Sequence, residues 1–381
     1  MSVQEAVPLP PTYKGLLFTS PSEPPTVTTF PTPAAEPGSI IVRPLYSGVV
    51  SYANEVYANG NPRGYSVPFP VIGGSNAIGR VAAVPADATH LRVGDLVTVE
   101  PLVRARDRPE DHKLLLAFLG GFSPEASRLA REVWRHGTWA ELVKVPLENV
   151  LRFDEAALRR HGVSVRDLGV FGQLALPYGG LRDVHLTAGE TVIIAPATGN
   201  FGGAGVHVAL AMGARVIAMG RNKTILKELE ALAPGRVHTV TLSGSVETDT
   251  DALSKFGPAD VFMDFTPTGV SNTSHVTAGM MSVRAGGRIS FMGGLMELSI
   301  PYGMIAARGI TVKGTMMYTR AQAQDLIKLV ETGTLKLGEK AGLKTLGVFK
   351  MDDGIKALES AHQESGAGRA VLVAPNEDTG L

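Results

Sequence analysis

The chain has 381 residues, enough for two domains, with 44% hydrophobic residues and 36 basic side chains against 36 acidic ones. Balanced charge gives no electrostatic reason to expect nucleic acid or an anionic membrane as partner, and no run approaches the ~18 apolar residues of a membrane span. Cysteine is absent, which excludes disulfides, thiolate nucleophiles and Cys-ligated metal together.

The opening residues, Met1 to Pro8, have neither a basic nor an apolar leader segment, so a soluble, cytoplasmic protein is expected. Residues 1–38 are rich in Pro and Thr, with one strand-like run from Tyr13 to Phe18. Ser39 to Leu45 reads as a second strand, Pro68 to Val84 as a glycine-punctuated one, and Leu91 to Val99 as a turn into another. Short strands with close-set turns predict a β-rich domain here. The stretch 101–137 differs: a charge cluster from Arg104 to Asp111, an apolar run from Lys113 to Leu119, then a helix from Ser123 to Trp134. Ser123 suits the N-cap and Pro124 the first helical position. Gly137 to Val145 is strand-like, and Val163 to Val184 is helical with a break expected at Pro177 to Gly180.

Thr191 to Ala195 is a charge-free, β-branched run, as in a strand buried on both faces. Ala197, Thr198, Gly199, Asn200, Phe201 and Gly202 then fill the six slots of G-x-G-x-x-G, with Ala in the first. Gly203 to Met212 is small and apolar, Gly213 stops it, and Arg215 to Met219 is a second buried strand. Glycines let the backbone approach a pyrophosphate that rests on free N–H groups at a helix N-terminus. Strand, glycine turn, helix and strand in that order predict a dinucleotide site. An NAD site has Asp or Glu about 20 residues after the glycines, on the ribose 2′-hydroxyl. Gly220, Arg221, Asn222 and Lys223 stand there instead. Two cations and no carboxylate suit a 2′-phosphate, so NADPH is the expected cofactor. Further strands are expected at 237–241, 260–264, 287–292 and 309–315, with helices between, giving a doubly wound parallel sheet. A helix from Ala321 to Glu331, a strand from Leu343 to Lys350, a short helix from Met351 to His362 and a strand from Arg369 to Ala374 complete the chain.

Over nearly its whole length the chain resembles the medium-chain dehydrogenases/reductases, the superfamily of zinc alcohol dehydrogenases, quinone reductases and enoyl reductases. The motifs are Gly48-Val49, Gly73 to Val81, the Val93-Gly94-Asp95-Leu96-Val97 turn, Gly137 to Glu141, the cofactor core from Gly189 to Ile217, and Gly286-Gly287-Arg288 with Gly293-Gly294. The resemblance implies an α/β fold in which a Rossmann doubly wound parallel sheet is inserted in a GroES-like β-rich domain. It places residues 1–160 and 320–381 in the GroES-like part and 161–319 in the Rossmann part. The first zinc Cys of the family falls at Val50, the zinc His at Gly74, its Glu neighbour at Ser75, and the third ligand around Gly172-Gln173. The lobe 101–137, where many zinc members hold four Cys, has none. Both zinc sites are therefore expected to be absent, because zinc needs three or four N, S or O ligands in a set geometry.

The family places a proton-relay hydroxyl near Tyr52 and a relay His near Tyr57, so these are the candidate catalytic residues. Tyr178 matches a Tyr or Thr near the nicotinamide, and Asn76 is a candidate contact to a substrate oxygen. Phe265, Thr266, Met292, Gly293 and Met316, with Met317, are expected to bracket the nicotinamide, and Arg369 is a candidate for a phosphate. Three functions stay open: an NADPH reductase of an enone, enoyl group or quinone; a carbonyl reductase or alcohol dehydrogenase using Tyr or water in place of zinc; and an NADPH-binding protein without turnover. The expected partners are a small-molecule substrate and a second copy of the chain, paired along the Rossmann edge strand from Gly309 to Thr315.

Overall fold

Alternation of polar and apolar residues sets the first strand. In the computed structural model, which describes residues 9–364 and 366–377, strand β1 (Thr12–Phe18) exposes Thr12 and Lys14 and buries Tyr13, Leu16 and Phe18. Two compact units follow from the contacts: the described residues of Met1–Gly172, Thr345–Ser365 and Ala370–Leu381 form one, and Gln173–Lys344 with Gly366–Arg369 the other.

The first unit holds, in chain order, β2 (Thr26–Pro31), β3 (Ser39–Val49), α1 (Asn54–Tyr57), β4 (Val71–Ile72), β5 (Ala77–Ala83), β6 (Leu96–Val99), β7 (Leu102–Arg104), β8 (Lys113–Leu115), α2 (Pro124–Glu132), β9 (Val143–Pro146), β10 (Val150–Arg152) and α3 (Glu155–Arg160). Strands β2, β1 and β4 pair antiparallel in that order. A larger antiparallel sheet runs β10-β6-β5-β3, with β9 also on β3. Two strands from the end of the chain, β17 (Lys344–Phe349) and β18 (Arg369–Val373), extend it, Val371 lying opposite Val49. The core beneath is aromatic: Phe18 stacks on Tyr57 at 4.8 Å and Trp139 lies 5.4 Å from Tyr57. In the lobe after residue 100, β7 and β8 form a hairpin. Ser123 Oγ accepts from the Ala126 amide at 3.1 Å, a cap worth about 1 kcal/mol. Val103, Leu114, Leu116 and Ala130 join the core of Val97 and Val99, so apolar packing holds the lobe. The strand expected from Gly137 forms its ladder only from Val143. Before that, the amides of Thr138 and Trp139 bond instead to the carbonyls of Gly74 and Gly73.

The second unit begins within α4 (Phe171–Asp183), which continues through Pro177 without the expected break. The glycines after Pro177 serve close packing rather than a turn. A Cβ on Gly179 would lie 2.4 Å from the Met317 carbonyl oxygen, and one on Gly180 2.2 Å from Met292 Sδ. Strands β11 (Thr191–Ala195), β12 (Arg215–Gly220), β13 (Val237–Thr241), β14 (Ala259–Asp264), β15 (Val283–Phe291) and β16 (Thr311–Gly314) alternate with α5 (Asn200–Ala211), α6 (Lys223–Leu232), α7 (Val246–Ser254), α8 (Ser274–Met281) and α9 (Tyr302–Arg308). The sheet is parallel throughout, in the order β13-β12-β11-β14-β15-β16. Every residue of β11 is buried, as its charge-free sequence requires. The helix α10 (Arg320–Glu331) belongs to this unit rather than to the β-rich one. Asp183 accepts from Gln322 Nε2 at 2.8 Å and from Thr315 Oγ1 at 2.9 Å, which ties α10 and the end of β16 to α4. The final helix, α11 (Gly354–Glu364), packs in the first unit, where Ala357, Leu358 and Ala361 are buried. No helix among the described residues is long and apolar enough to cross a membrane.

Candidate functional site

A parallel sheet brings the carboxyl ends of its strands to one edge. The order β12-β11-β14-β15 places Gly220, Ala195, Asp264 and Phe291 along that edge, with the chain leaving β11 in one direction and β14 in the other. Ligands of open α/β sheets bind at such a switch point.

The glycine turn sits there. Gly199 is the N-cap of α5, and no side chain caps the helix. The amides of Asn200, Phe201 and Gly202 occupy its first turn, where intrahelical acceptors are lacking. The two glycines have separate tasks. A Cβ on Gly202 would lie 1.9 Å from the Pro196 carbonyl oxygen, whereas one on Gly199 would meet nothing within 4 Å. Gly202 thus seats the helix on the strand end, and Gly199 leaves an open side for a ligand to approach the amides. The Ala197 amide bonds the Met219 carbonyl at 2.6 Å, joining the turn to the end of β12. These residues fit a dinucleotide pyrophosphate.

At the end of β12, Gly220 is buried, and a Cβ there would lie 2.3 Å from Thr198 Cγ2. A carboxylate has no room at that position. Arg221 and Lys223 are exposed, and neither has an ion-pair partner among the described residues. Asn222 caps α6, its Oδ1 accepting from Thr224 and Ile225 at 3.1 and 3.2 Å, so its carbonyl oxygen is committed. Arg369 is committed as well, its Nη2 lying 2.9 Å from Glu228 Oε2.

Two features of this edge went unread in the sequence. Residues 366–369 fold over the glycine turn: the Ala367 amide bonds the Thr198 carbonyl at 3.1 Å, and Asn200 Nδ2 bonds the Arg369 carbonyl at 2.9 Å. The Asn200 side chain therefore turns toward that segment. The second feature is a buried polar chain. Thr266 Oγ1 donates to Asp264 Oδ1 and lies 2.8 Å from His275 Nε2, and the Thr266 amide also donates to Asp264 at 3.1 Å. Burial pushes the Asp264 carboxyl up to about 6 against the bonds from Thr266, and burial holds His275 below its ordinary value. A carboxylate ending the apolar run Val261 to Met263 was the visible signal for this cluster. Phe265 is half-buried, its amide bonding Ala195 at 2.7 Å. Gly293 packs on Asp264, Met292 on Gly180, and Met316 is 41% exposed. Tyr178 is buried, with the Arg182 guanidinium 5.9 Å from its ring centre, and burial raises its phenol.

In the first unit, Tyr57 is a structural residue. It is 1% exposed; its hydroxyl donates to the Ala117 carbonyl and accepts from the Gly74 amide, both at 3.1 Å. Its single hydrogen is committed to a backbone carbonyl, which leaves none to give a substrate. Tyr52 is half-buried between Tyr65 and Phe118, with the Arg63 guanidinium 4.3 Å from its ring centre. Burial raises its phenol, and a hydrogen bond with Tyr65 adds to the shift. Asn76 is half-buried, and its Oδ1 accepts from the Gly48 amide at 3.3 Å.

The place of the family's zinc does not fit a metal. Val50, Gly74 and Gly172 carry no donor atom in their side chains, and Ser75 and Gln173 beside them offer only a hydroxyl and a carboxamide, neither thiolate nor imidazole. At position 74 even a methyl group is excluded, because a Cβ would lie 2.5 Å from Trp139 Cδ1 and 2.6 Å from Thr138 Oγ1, on a backbone with φ of +86°. Among the described residues no group of three His, Asp or Glu side chains comes together as a metal would need.

A parallel sheet in this strand order, with an uncapped glycine turn at its switch point, defines a dinucleotide-binding domain, and the chain also holds a β-rich unit. Comparison agrees: residues 36–155 match the alcohol dehydrogenase GroES-like domain and residues 201–332 the zinc-binding dehydrogenase family. The chain belongs to the medium-chain dehydrogenase/reductase superfamily and is a pyridine-nucleotide-dependent oxidoreductase of that family. A probable D-xylulose reductase A of Aspergillus clavatus is 27% identical, the match spanning 90% of this chain and 91% of that protein. An acryloyl-coenzyme A reductase of Metallosphaera sedula is 26% identical, over 77% of this chain and 82% of that one. The fold is shared with a thermostable alcohol dehydrogenase of Pyrobaculum aerophilum (TM-score 0.69, 21% identity, 96% of this chain and 100% of that). It is also shared with an E. coli alcohol dehydrogenase solved with NADH (TM-score 0.76, 16% identity, 96% and 100%).

Asp264 makes stability depend on pH. Burial holds its carboxyl at about 6 in the fold, against 3.8 for a free aspartate. Below pH 4 both states are protonated and the burial costs nothing extra. As pH rises from about 4 to 6 the unfolded chain ionises first, and a cost of ~3 kcal/mol builds up, complete above pH 6. Asp264→Asn removes it. Urea unfolding at pH 4.5 and pH 7.5 should show the variant gaining stability over the native chain at the higher pH; an equal difference at both values would refute the shift.

Proposed function

We propose that the chain is a zinc-independent, NADPH-dependent reductase of an activated C=C bond, as in an enone or enoyl group, or of a quinone. The observation that carries this reading is the combination of a nucleotide turn flanked by unpaired Arg221 and Lys223 with a metal position where Val50, Gly74 and Gly172 offer no ligand and residue 74 has no room for one. When bound, the nucleotide supplies the hydride; the protein must hold it and settle the charge that develops on the acceptor. A metal would do this as a Lewis acid. Without one, an acceptor whose charge spreads by conjugation onto a remote oxygen demands least from the protein. Tyr52, a phenol protonated at neutral pH, is the candidate donor for that oxygen. A relative named for reduction of acryloyl-coenzyme A, a conjugated thioester, supports the same reading. Carbonyl reduction is the second reading, favoured by the relatives named D-xylulose reductase and by the retained lobe at 101–137.

NADPH deuterated at C4, incubated with enones, quinones, ketones and aldehydes, tests the reaction. Label on the carbon β to a retained carbonyl supports the first reading, and label on a carbinol carbon replaces it with the second. Tyr52→Phe should lower kcat for the accepted substrate, and an unchanged kcat removes Tyr52 from the mechanism.

Arg221→Ala should raise KM for NADPH by roughly tenfold or more, the worth of one charge-assisted contact, and leave KM for NADH nearly unchanged. Equal effects on both nucleotides would refute the 2′-phosphate contact.

The edge strand β16 is exposed along its whole length, and Tyr302, Ile300 and Val312 are 77%, 42% and 38% exposed. An unpaired edge beside apolar surface suits pairing with a second copy of the chain. Sedimentation velocity should show a homodimer that Val312→Pro dissociates; a monomeric native chain at micromolar concentration would exclude this contact.

A further inference from the structure

We infer that the carboxamide of Asn76 is a preorganised hydrogen-bond donor for the substrate's carbonyl oxygen, standing where zinc-binding relatives of this fold hold their metal. Its ligand class, a conjugated carbonyl, rests on the reduction proposed above.

Three segments of the first unit converge on this side chain. A Cβ on Gly48 of β3 would lie 3.1 Å from Asn76 Oδ1, and one on Gly172 of α4 would lie 3.4 Å from Asn76 Cγ. Gly74 and Ser75 lead directly into it. The carboxamide thus lies between two glycines, Gly172 at the place of the superfamily's third metal ligand and Gly48 two residues before that of the first. A larger residue at 48 or 172 would push it out of place.

Its orientation follows from donor chemistry. A backbone N–H can only donate, so the Asn76 atom 3.3 Å from the Gly48 amide is the oxygen. Nδ2 then faces away with both its hydrogens. It has no hydrogen-bond partner among the described residues, yet it does not belong to the sealed, unsatisfied polar atoms. The two hydrogens are unspent and open to a ligand.

The backbone of Asn76 is clamped as firmly as its oxygen. Its carbonyl accepts from Ser47 Oγ at 2.6 Å and from Thr138 Oγ1 at 2.9 Å. Those hydroxyls lie 2.7 Å apart, and both residues are fully buried. A packing Asn spends its donors on the protein. This one is fixed through its carbonyl, its Oδ1 and the two glycines, and its donor pair alone is unused. A donor fixed before the ligand arrives needs no reorganisation as negative charge grows on the acceptor oxygen. A neutral amide matches a carbonyl oxygen that becomes an enolate. Its Nδ2 offers nothing to a metal, because an amide nitrogen has no free lone pair to donate, and its oxygen is turned to the Gly48 amide.

The test uses the full-length protein with 4-(dimethylamino)cinnamaldehyde, a chromophoric enal whose absorption moves to the red when its oxygen accepts a strong hydrogen bond. Spectra are taken with and without NADP⁺. Asn76→Asp keeps an oxygen toward the Gly48 amide and the side-chain shape, but replaces the donor by an acceptor. Asn76→Ala removes both, and thermal melts confirm that the variants fold. The native protein should shift the probe to the red, and both variants should lose the shift. The kcat for an accepted enone or quinone should fall about 10²-fold, the usual loss for one oxyanion donor, with KM for NADPH within a factor of two. A folded Asn76→Asp that shifts the probe as the native protein does would overturn the inference, and so would a native protein that leaves the probe spectrum unchanged. If no acceptor takes label from deuterated NADPH while the Asn76-dependent shift persists, the proposed reduction falls and the donor stands.

Discussion

One contact fixes the nucleotide edge: the α-carbon of Gly202 pressed against the carbonyl oxygen of Pro196, so closely that a methyl group would sit 1.9 Å away. It seats the first turn of α5 on the end of β11. From there the Ala197 amide reaches β12, Thr198 fills the space above Gly220, and residues 366–369 close over Asn200. Hydrophobic burial of the strands supplies most of the stabilisation. The position of three free amides within that edge depends on this one absence of a side chain.

The first unit uses the same device toward a different end. Gly74 is packed against Trp139 and Thr138, and its amide is held by the Tyr57 hydroxyl. Ring packing that stabilises the β-rich core thereby occupies the volume a metal-binding side chain would need. Residue identity and packing at position 74 therefore agree: neither leaves a metal-binding side chain there. Restoring a histidine at position 74 would require Trp139 to move, and Trp139 is 1% exposed in a cluster with Phe18 and Tyr57.

Buried runs and glycine spacing made most of the fold legible in the sequence. The strands at 191–195, 237–241 and 369–373 emerge within a residue of where an apolar, β-branched run predicts them. Ser123 caps its helix as the Ser-Pro pair implies. What was not legible depends on partners far away in the chain. Gly179 and Gly180 resemble a turn until Met317 and Met292 are seen against them. Tyr57 resembles a relay group until both sides of its hydroxyl are found occupied. The helix after Arg320 belongs to the nucleotide unit because Asp183, more than a hundred residues earlier, holds Gln322. Local pattern reports which face is buried; it does not report what the face is buried against.

The cysteine-free composition has a chemical consequence for the acceptors proposed. Enones and quinones are Michael acceptors, and thiolates are the protein side chains they alkylate most readily. A medium-chain enzyme that kept zinc-binding cysteines would hold soft nucleophiles beside such a substrate. Here Val50 stands at the first of those places, and no thiol lies around Gly172-Gln173 at the other. Of the remaining nucleophiles, His207 is 8% exposed and burial lowers it to about 4. A chain without a thiol is thereby suited to the electrophilic acceptors proposed for it, its sulfur confined to methionine thioethers.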